Sequence, residues 1–179
     1  IKRLKNINLE PVEDDKENLP RISNFEGKIS FKKVNFAYKK DNQVLKNINL
    51  EIKKGEVTAF VGASGAGKST MLALILKFIT PNNGNIFIDD ENLKSLYTSD
   101  IRKNIALVQQ QPFLFSGKII DVIRMGRLHT KEEVIESAKK ANAHNFIQKL
   151  PDKYETYITE RGSNFSGGQI QRIAIARAI

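Results

Sequence analysis

Apolar and polar residues alternate along two stretches near the start of the chain, and each stretch predicts a β-strand. In residues 29–38 and 44–52 apolar side chains recur in the rhythm of a half-buried strand. The first stretch breaks this rhythm once, at Lys32-Lys33, and Asp41-Asn42 between the two predicts a turn. The folded part of the chain is therefore expected to open with two strands joined by a short turn.

Uninterrupted apolar runs occur further along the chain. Residues 57–61 and 105–108 are short runs of this kind and predict buried strands. Residues 71–76 predict the body of a helix, and residues 85–90 predict a short strand that ends on two carboxylates.

Helical periodicity dominates the last third of the chain. Residues 130–150 carry a stripe of apolar side chains at helical spacing, and Pro151 is expected to end this helical segment. Thr130 can cap its start, and Glu133 three residues later completes the pattern of a capping box. Residues 170–179 predict another helix.

Residues 1–24 predict a linker rather than a folded element. They contain Pro11 and Pro20 and the charged run 13–17, and they offer little apolar surface to bury. The globular part is therefore predicted over residues 25–179.

The strongest chemical signal lies between the predicted strand 57–61 and the predicted helix 71–76. It fits the phosphate-binding pattern G-x-x-x-x-G-K-[ST] and consists of Gly62, Ala63, Ser64, Gly65, Ala66, Gly67, Lys68, Ser69 and Thr70. The glycines let the backbone curl around phosphate oxygens, and the free N–H groups of the first helical turn point at the same spot. Lys68 can reach the outer phosphates, and the Ser69 hydroxyl can ligate Mg²⁺. The sequence therefore predicts a nucleotide-binding loop.

A second helix start near the end of the chain has similar chemistry. Ser166-Gly167-Gly168 precedes an apolar helical run and supplies a hydroxyl, a permissive backbone and a helix N-terminus. The same three residues are also a common cap and turn, so alone they favour an anion site only modestly.

Other polar residues are weaker candidates for metal binding or catalysis. Asp89 or Asp90 could bind a metal at a strand end, but a turn follows at once and the structural interpretation is favoured. A glutamine within 109–111 could offer its amide oxygen to Mg²⁺ or water, or belong to a loop without a site role. His129 and His144 are isolated and are interpreted as surface or packing residues.

Composition narrows the class of protein. The chain has 179 residues, enough for one well-cored domain, and its lack of cysteine excludes disulfides and thiolate metal sites. Its net charge of +9 comes from lysines scattered in ones and twos, with no nucleic-acid recognition module beside them. A solvated lysine-rich surface is therefore favoured over a nucleic-acid or membrane surface. No run of about 20 apolar residues predicts a membrane span.

Taken together, these motifs resemble the nucleotide-binding domain of an ABC transporter of the exporter type. Phe165-Ser166-Gly167-Gly168-Gln169 matches the family signature LSGGQ with phenylalanine for leucine, and residues 62–70 match the family's Walker A motif. Tyr38 falls at the aromatic A-loop position, which stacks on adenine, and Gln110 falls at the Q-loop glutamine.

Further stretches resemble exporters rather than importers, and the resemblance extends from Gly27 to Ile179. Residues 156–162 are similar to the exporter x-loop, with Thr159 where glycine is usual, and residues 142–147 also follow the exporter pattern. The chain departs from the usual threonine and asparagine after Phe115, at Lys118 and Val122.

The resemblance implies an α/β fold of the P-loop NTPase type, with an antiparallel β subdomain and a helical subdomain. It implies ATP and Mg²⁺ as cofactors, with Lys68 and Gln110 as catalytic residues and Ser69 and Gln110 as Mg²⁺ ligands. Tyr38, residues 62–70 and Gln110 would bind the nucleotide in the same copy.

The resemblance also implies partners. A second nucleotide-binding domain, identical or different, would bind head to tail, so that Ser166, Gly167, Gly168 and Gln169 contact the ATP of the other copy. Transmembrane domains would be the other partner, with residues 1–24 descending from them at the cytoplasmic face of a membrane. No nucleic-acid partner is expected.

In the family, the Walker B strand with its Asp, the catalytic Glu and the switch His follow the position of Ile179. We therefore expect an incomplete core at the C-terminal end of these 179 residues, with ATP binding but weak or no hydrolysis. The parent protein would be an ATPase.

Two other functions compete with an exporter motor. ABC-type ATPases of DNA repair or chromosome maintenance separate Walker A from the signature by long coiled-coil arms, and no sustained heptads occur between Ser69 and Ser166. A binding-only module, in which ATP organises a partner interface, is the other alternative.

Overall fold

The computed structural model describes residues 19–22, 24–39 and 41–179. They form two compact units, of which the first extends to Ile105 and the second runs from Ala106 to Ile179. Most of the predicted linker lies outside the described residues.

The first unit is built on an antiparallel sheet. Among the described residues its strands are β1 (Ile29–Lys39), β2 (Asn42–Ile52), β3 (Asn83–Ile88) and β4 (Glu91–Asn92), in the order β2-β1-β3-β4. The two strands predicted from the alternating pattern and the short strand after them are thereby confirmed. The broken rhythm at Lys32-Lys33 corresponds to an irregularity, where Lys33 adopts a φ of 51° and the pairing with β2 shifts.

In the described part of the first unit, two α-helices, α1 (Lys68–Ile75) and α2 (Thr98–Asn104), and a short 3-10 helix, Leu93–Ser95, accompany the sheet. The predicted helix after the glycine-rich loop is confirmed, and it begins directly at Lys68. One face of α1 and the inner face of the sheet share a core whose buried members are Phe31, Val34, Phe36, Leu45, Met71, Leu74, Ile75, Ile86, Ile88, Leu93, Leu96 and Ile101. Burial of a side chain such as Leu74 stabilises the unit by roughly 1.5–3 kcal/mol.

The chain before β1 contacts this unit through Arg21. Its Nη1 atom donates to Asp100 Oδ1 at 3.0 Å, and its guanidinium lies 3.8 Å from the centre of the Tyr97 ring. The backbone N–H of Ile22 donates to the same carboxylate, at Oδ2. The C-terminal end of the predicted linker therefore packs on the first unit.

The predicted strands at 57–61 and 105–108 are wrong. Both segments are irregular, and Val57 and Val61 are fully or almost fully exposed, at 101% and 93%. A strand satisfies its backbone groups on neighbouring strands, and no strand among the described residues lies beside either segment. Apolar sequence alone therefore does not make these segments strands.

The second unit is mainly helical. It contains the short strands β5 (Gly117–Lys118) and β6 (Tyr157–Ile158), which pair antiparallel. Its helices are α3 (Ile119–Arg124), α4 (Lys131–Lys140), α5 (His144–Ile147) and α6 (Gly167–Ala178). Its buried core is formed by Leu114, Ile119, Ile120, Val122, Ile123, Val134, Ala138, Ala141, Ala143, Ile147, Tyr154, Ile158, Ile173, Ala174 and Ala176.

The predicted cap of α4 is confirmed. The backbone N–H of Glu133 donates to Thr130 Oγ1, and the backbone N–H of Thr130 donates to Glu133 Oε2 at 2.7 Å. This second bond lowers the pKa of the Glu133 carboxyl. The helical stripe does not run unbroken to Pro151, because α4 ends at Lys140 and Asn142 adopts a left-handed φ of 54°.

The two departures from the family pattern that follow Phe115 are Lys118 and Val122, and both have contacts within the second unit. Lys118 Nζ, at the end of β5, pairs at 2.9 Å with Oε2 of Glu155, which precedes β6, and this contact lowers the pKa of Glu155. Val122 is buried in the core of the second unit. Both replacements are therefore accommodated within this unit.

None of the helices in the described ranges combines the length and the apolar character required to cross a membrane.

Candidate functional site

The glycine-rich loop turns tightly into α1. Gly65 and Gly67 adopt left-handed φ values of 83° and 86°, and the backbone N–H of Ala66 donates to the carbonyl of Ala63 at 3.2 Å. The carbonyl of Gly67 accepts the first helical hydrogen bond, from the N–H of Met71 at 3.0 Å. The first N–H groups of a helix have no partner within it, so they are available to an anion here.

Two backbone carbonyl oxygens of the loop hold the Lys68 side chain over it. Its Nζ atom donates to the carbonyl of Gly62 at 2.8 Å and to that of Ala63 at 2.7 Å. An ammonium group has three hydrogens, so one donor remains after these two bonds. The side chain is therefore fixed with its positive charge beside the helix N-terminus, where a phosphate oxygen is stabilised.

The two hydroxyl residues that follow Lys68 differ in environment. Ser69 is exposed at the start of α1, whereas Thr70 is buried with 5% of its surface exposed. Thr70 Oγ1 lies 3.2 Å from the hydroxyl of Tyr38 near the end of β1. Tyr38 is 61% exposed, and its ring packs edge-on against Phe36 with centroids 4.8 Å apart. An aromatic surface is thus accessible next to the phosphate loop.

These groups fit a nucleoside triphosphate with Mg²⁺. Backbone N–H groups, Lys68 and two hydroxyl side chains suit phosphate oxygens, and Ser69 offers one hard oxygen ligand. Within the described ranges, no group of three or more His, Asp or Glu side chains is arranged to hold a metal ion.

The two carboxylates after β3 have structural contacts. Asp89 accepts hydrogen bonds from the backbone N–H groups of Glu26, Gly27 and Lys28, at 2.8, 3.3 and 2.8 Å. Asp90 pairs with Lys28 Nζ at 3.1 Å, which raises the pKa of that lysine. Both carboxylates thus stabilise the turn that leads into β1.

Gln110 lies in the second unit, in an exposed irregular segment that follows residues 105–108. Its side chain is accessible, as a ligand-binding role requires. Its assignment to nucleotide and Mg²⁺ binding remains a prediction.

The start of α6 is a second helix N-terminus of the kind that binds anions. Ser166 Oγ accepts the backbone N–H of Gln169 at 3.3 Å, and Gln169 Oε1 accepts the backbone N–H of Ser166 at 2.8 Å. Because Ser166 Oγ is an acceptor in this capping box, its own hydrogen stays available to donate. Gly167 and Gly168 are exposed beside it. The S-x-x-Q spacing is a capping-box signal that the sequence analysis did not use.

The two histidines have partners within the second unit. His144 Nδ1 lies 2.9 Å from the hydroxyl of buried Tyr154, whose pKa is raised by burial. His129 Nδ1 lies 3.6 Å from Glu133 Oε2 on the surface. The contact of His144 agrees with a packing role, and that of His129 agrees with a surface role.

Comparison with known proteins yields matches along most of the chain. Residues 45–179 match the family model described as ABC transporter. A putative multidrug export ATP-binding/permease protein of Staphylococcus aureus is 50% identical over 155 residues, which are 85% of this chain and 27% of that protein. ABC transporter B family member 14 of Arabidopsis thaliana is 43% identical over 171 residues, 94% of this chain and 14% of that protein.

A solved structure is similar over nearly the whole chain. It is a bacterial Atm1-family ABC exporter with ATP bound, 34% identical, with a TM-score of 0.91. The match covers 99% of this chain and 31% of that one. The chain therefore spans less than a third of the length of each of these relatives.

Proposed function

The chain belongs to the ABC transporter family and has the fold of its nucleotide-binding domains, and on this premise we propose that it binds MgATP and powers an exporter. The observation that carries the proposal is the phosphate loop, where Lys68 is fixed by two loop carbonyls beside the free N-terminus of α1. The printed names of the similar proteins, which refer to export, support the exporter part of the proposal.

In this proposal the residues of the candidate site have separate tasks. The backbone N–H groups and Lys68 bind the phosphates, and Lys68 also stabilises the negative charge that grows on them during transfer. Tyr38 offers its ring to the adenine. Ser69 and Gln110 supply oxygen ligands to Mg²⁺, which when bound neutralises charge on the outer phosphates. Gln110 can also orient a water molecule through its amide.

The start of α6 completes the site of a second copy. Ser166, Gly167, Gly168 and Gln169 are proposed to contact the ATP bound by another nucleotide-binding domain, identical or different, in a head-to-tail dimer. Support comes from the chemistry of this helix start, which offers a hydroxyl hydrogen and exposed glycine N–H groups. One chain with two anion-binding helix starts can thus serve two nucleotides.

Hydrolysis and transport are assigned to the whole protein. Hydrolysis needs a group that orients and deprotonates water, and the family's Walker B carboxylates are not among these 179 residues. We therefore expect these residues alone to bind ATP with weak or no turnover. The proposed partners in transport are transmembrane domains, which would hold this domain at the cytoplasmic face of a membrane.

A charge placed at Ser166 tests the head-to-tail arrangement. Aspartate caps a helix as well as serine does, so Ser166→Asp keeps α6 intact but puts a carboxylate where a phosphate must approach. We expect MgATP to drive the wild-type chain into dimers in sedimentation velocity, and the Asp variant to need at least about tenfold more protein to dimerise. Its affinity for MgATP as a monomer should be unchanged.

Ser166→Asn is the matched control, because asparagine also caps a helix but carries no charge. It should dimerise more readily than the Asp variant. A wild-type chain that stays monomeric at saturating MgATP, or an Asp variant that dimerises like wild type, would contradict the head-to-tail proposal.

A further inference from the structure

The contact between Tyr38 and Thr70 links the end of β1 to the first turn of α1. The two hydroxyl oxygens lie 3.2 Å apart, although the residues are 32 positions apart in the sequence. Thr70 is buried at the base of the phosphate loop, and the Tyr38 ring is supported from the side by Phe36. The Tyr38 hydroxyl is therefore hydrogen-bonded to a residue of the phosphate loop.

The direction of this hydrogen bond decides what Thr70 can offer a ligand. A hydroxyl group has one hydrogen and two lone pairs. If Thr70 donated to Tyr38, its only hydrogen would be used. If Tyr38 donates, Thr70 Oγ1 accepts and keeps its own hydrogen for another acceptor. A phenol is more acidic than an aliphatic alcohol and is the better donor, so the second direction is favoured.

Lys68, two residues before Thr70 in the first turn of α1, shows the same arrangement. Two of its hydrogens are used by the carbonyls of Gly62 and Ala63, and one remains for a ligand. Both side chains are thus fixed by protein contacts before any phosphate contact forms, and such pre-organisation lowers the entropic cost of binding.

We propose that the Tyr38 hydroxyl is a positioning group for the phosphate site, which donates to Thr70 Oγ1 and directs the Thr70 hydrogen toward a phosphate oxygen. This inference rests on the proposed binding of ATP and adds to it. A residue that only stacks on adenine affects ligands that carry a base. A residue that orients Thr70 also affects a ligand that has phosphates and no base.

Inorganic triphosphate with Mg²⁺ is therefore the probe that separates the two roles. Tyr38→Phe keeps the aromatic ring and removes only the hydroxyl. We expect this variant to bind inorganic triphosphate about 3- to 10-fold more weakly than wild type in calorimetric titration, the effect of one hydrogen bond. MgATP affinity should fall by a similar factor, because stacking is retained. Tyr97→Phe removes a hydroxyl elsewhere in the same unit and should change neither affinity.

A double-mutant cycle checks the route of the effect. Thr70→Val removes the acceptor, so adding Tyr38→Phe to it should cost no further triphosphate affinity. Thr70→Val alone provides an independent readout if Tyr38→Phe folds poorly, because loss of the Thr70 hydroxyl should also weaken triphosphate binding.

Each outcome has a distinct meaning. Equal or tighter triphosphate binding by Tyr38→Phe, or an additive loss in the Thr70→Val background, would overturn the inference while leaving ATP binding intact. Failure of the folded wild-type chain to bind either MgATP or triphosphate would instead contradict the proposed function, and the inference with it.

Discussion

Replacement of Gly67 by alanine is expected to weaken MgATP binding by about 100-fold, equivalent to roughly 3 kcal/mol. Gly67 has a left-handed φ of 86° at the point where the loop becomes α1, a conformation that costs an alanine about 1–2 kcal/mol. A Cβ atom at this position would also lie 2.7 Å from Cδ2 of Leu45. Leu45 is buried in the core of the first unit and has little room to move.

The loop would relieve this strain by moving, and movement would misalign the helical N–H groups and Lys68. Calorimetric titration with MgATP measures the loss. Gly55→Ala is the matched control, because Gly55 has a similar φ of 74° but a methyl group added there would meet nothing within 4 Å. The control should bind MgATP like wild type. An affinity for the Gly67 variant within about threefold of the control would show that the loop geometry is not required.

Replacement of Gly84 by alanine should lower the free energy of unfolding by about 3 kcal/mol or more, the largest loss expected among the variants proposed for this chain. Gly84 lies in β3 with a left-handed φ of 83°, directly against the irregular part of β1. An added Cβ would lie 2.6 Å from the carbonyl oxygen of Lys32 and closer still to the carbonyl of Lys33. These are backbone atoms, so β1 and β3 must separate to admit the methyl group.

Urea unfolding followed by circular dichroism measures this effect. Gly55→Ala again serves as control, since it incurs the cost of the left-handed φ without a backbone contact, about 1–2 kcal/mol. The difference between the two variants isolates the cost of the contact with β1. If the free energy of unfolding of Gly84→Ala lies within about 0.5 kcal/mol of that of Gly55→Ala, the close packing of β1 on β3 at Gly84 contributes nothing measurable to stability.

Local sequence determines much of the candidate site. The glycine pattern, Lys68 and the apolar helix after it predicted the loop and α1, because these features depend on nearby residues. The capping box of α4 followed from Thr130 and Glu133 in the same way, and the equivalent spacing of Ser166 and Gln169 carried the same information.

Features that depend on distant residues could not be predicted from the sequence. Residues 57–61 and 105–108 have the composition of buried strands, but strand formation requires a neighbouring strand, and none in the described part of the chain supplies it. The hydrogen bond between Tyr38 and Thr70 joins two elements far apart in sequence, and so do the contacts of Asp89 with residues 26–28. The sequence carries no local signal for the Tyr38–Thr70 hydrogen bond or for the contacts of Asp89.

The most direct test of ATP binding at this loop is a calorimetric titration of MgATP into the wild-type chain and into Lys68→Ala. Lys68→Ala removes the ammonium group fixed over the loop, and Lys53→Ala removes an exposed lysine from the same unit, so the net charge of the two variants is equal. We expect saturable binding by wild type and Lys53→Ala, and affinity at least about tenfold weaker for Lys68→Ala, because a charge-assisted bond to phosphate is lost. Equal MgATP affinity in all three chains, or no binding by the folded wild type, would contradict nucleotide binding at this loop.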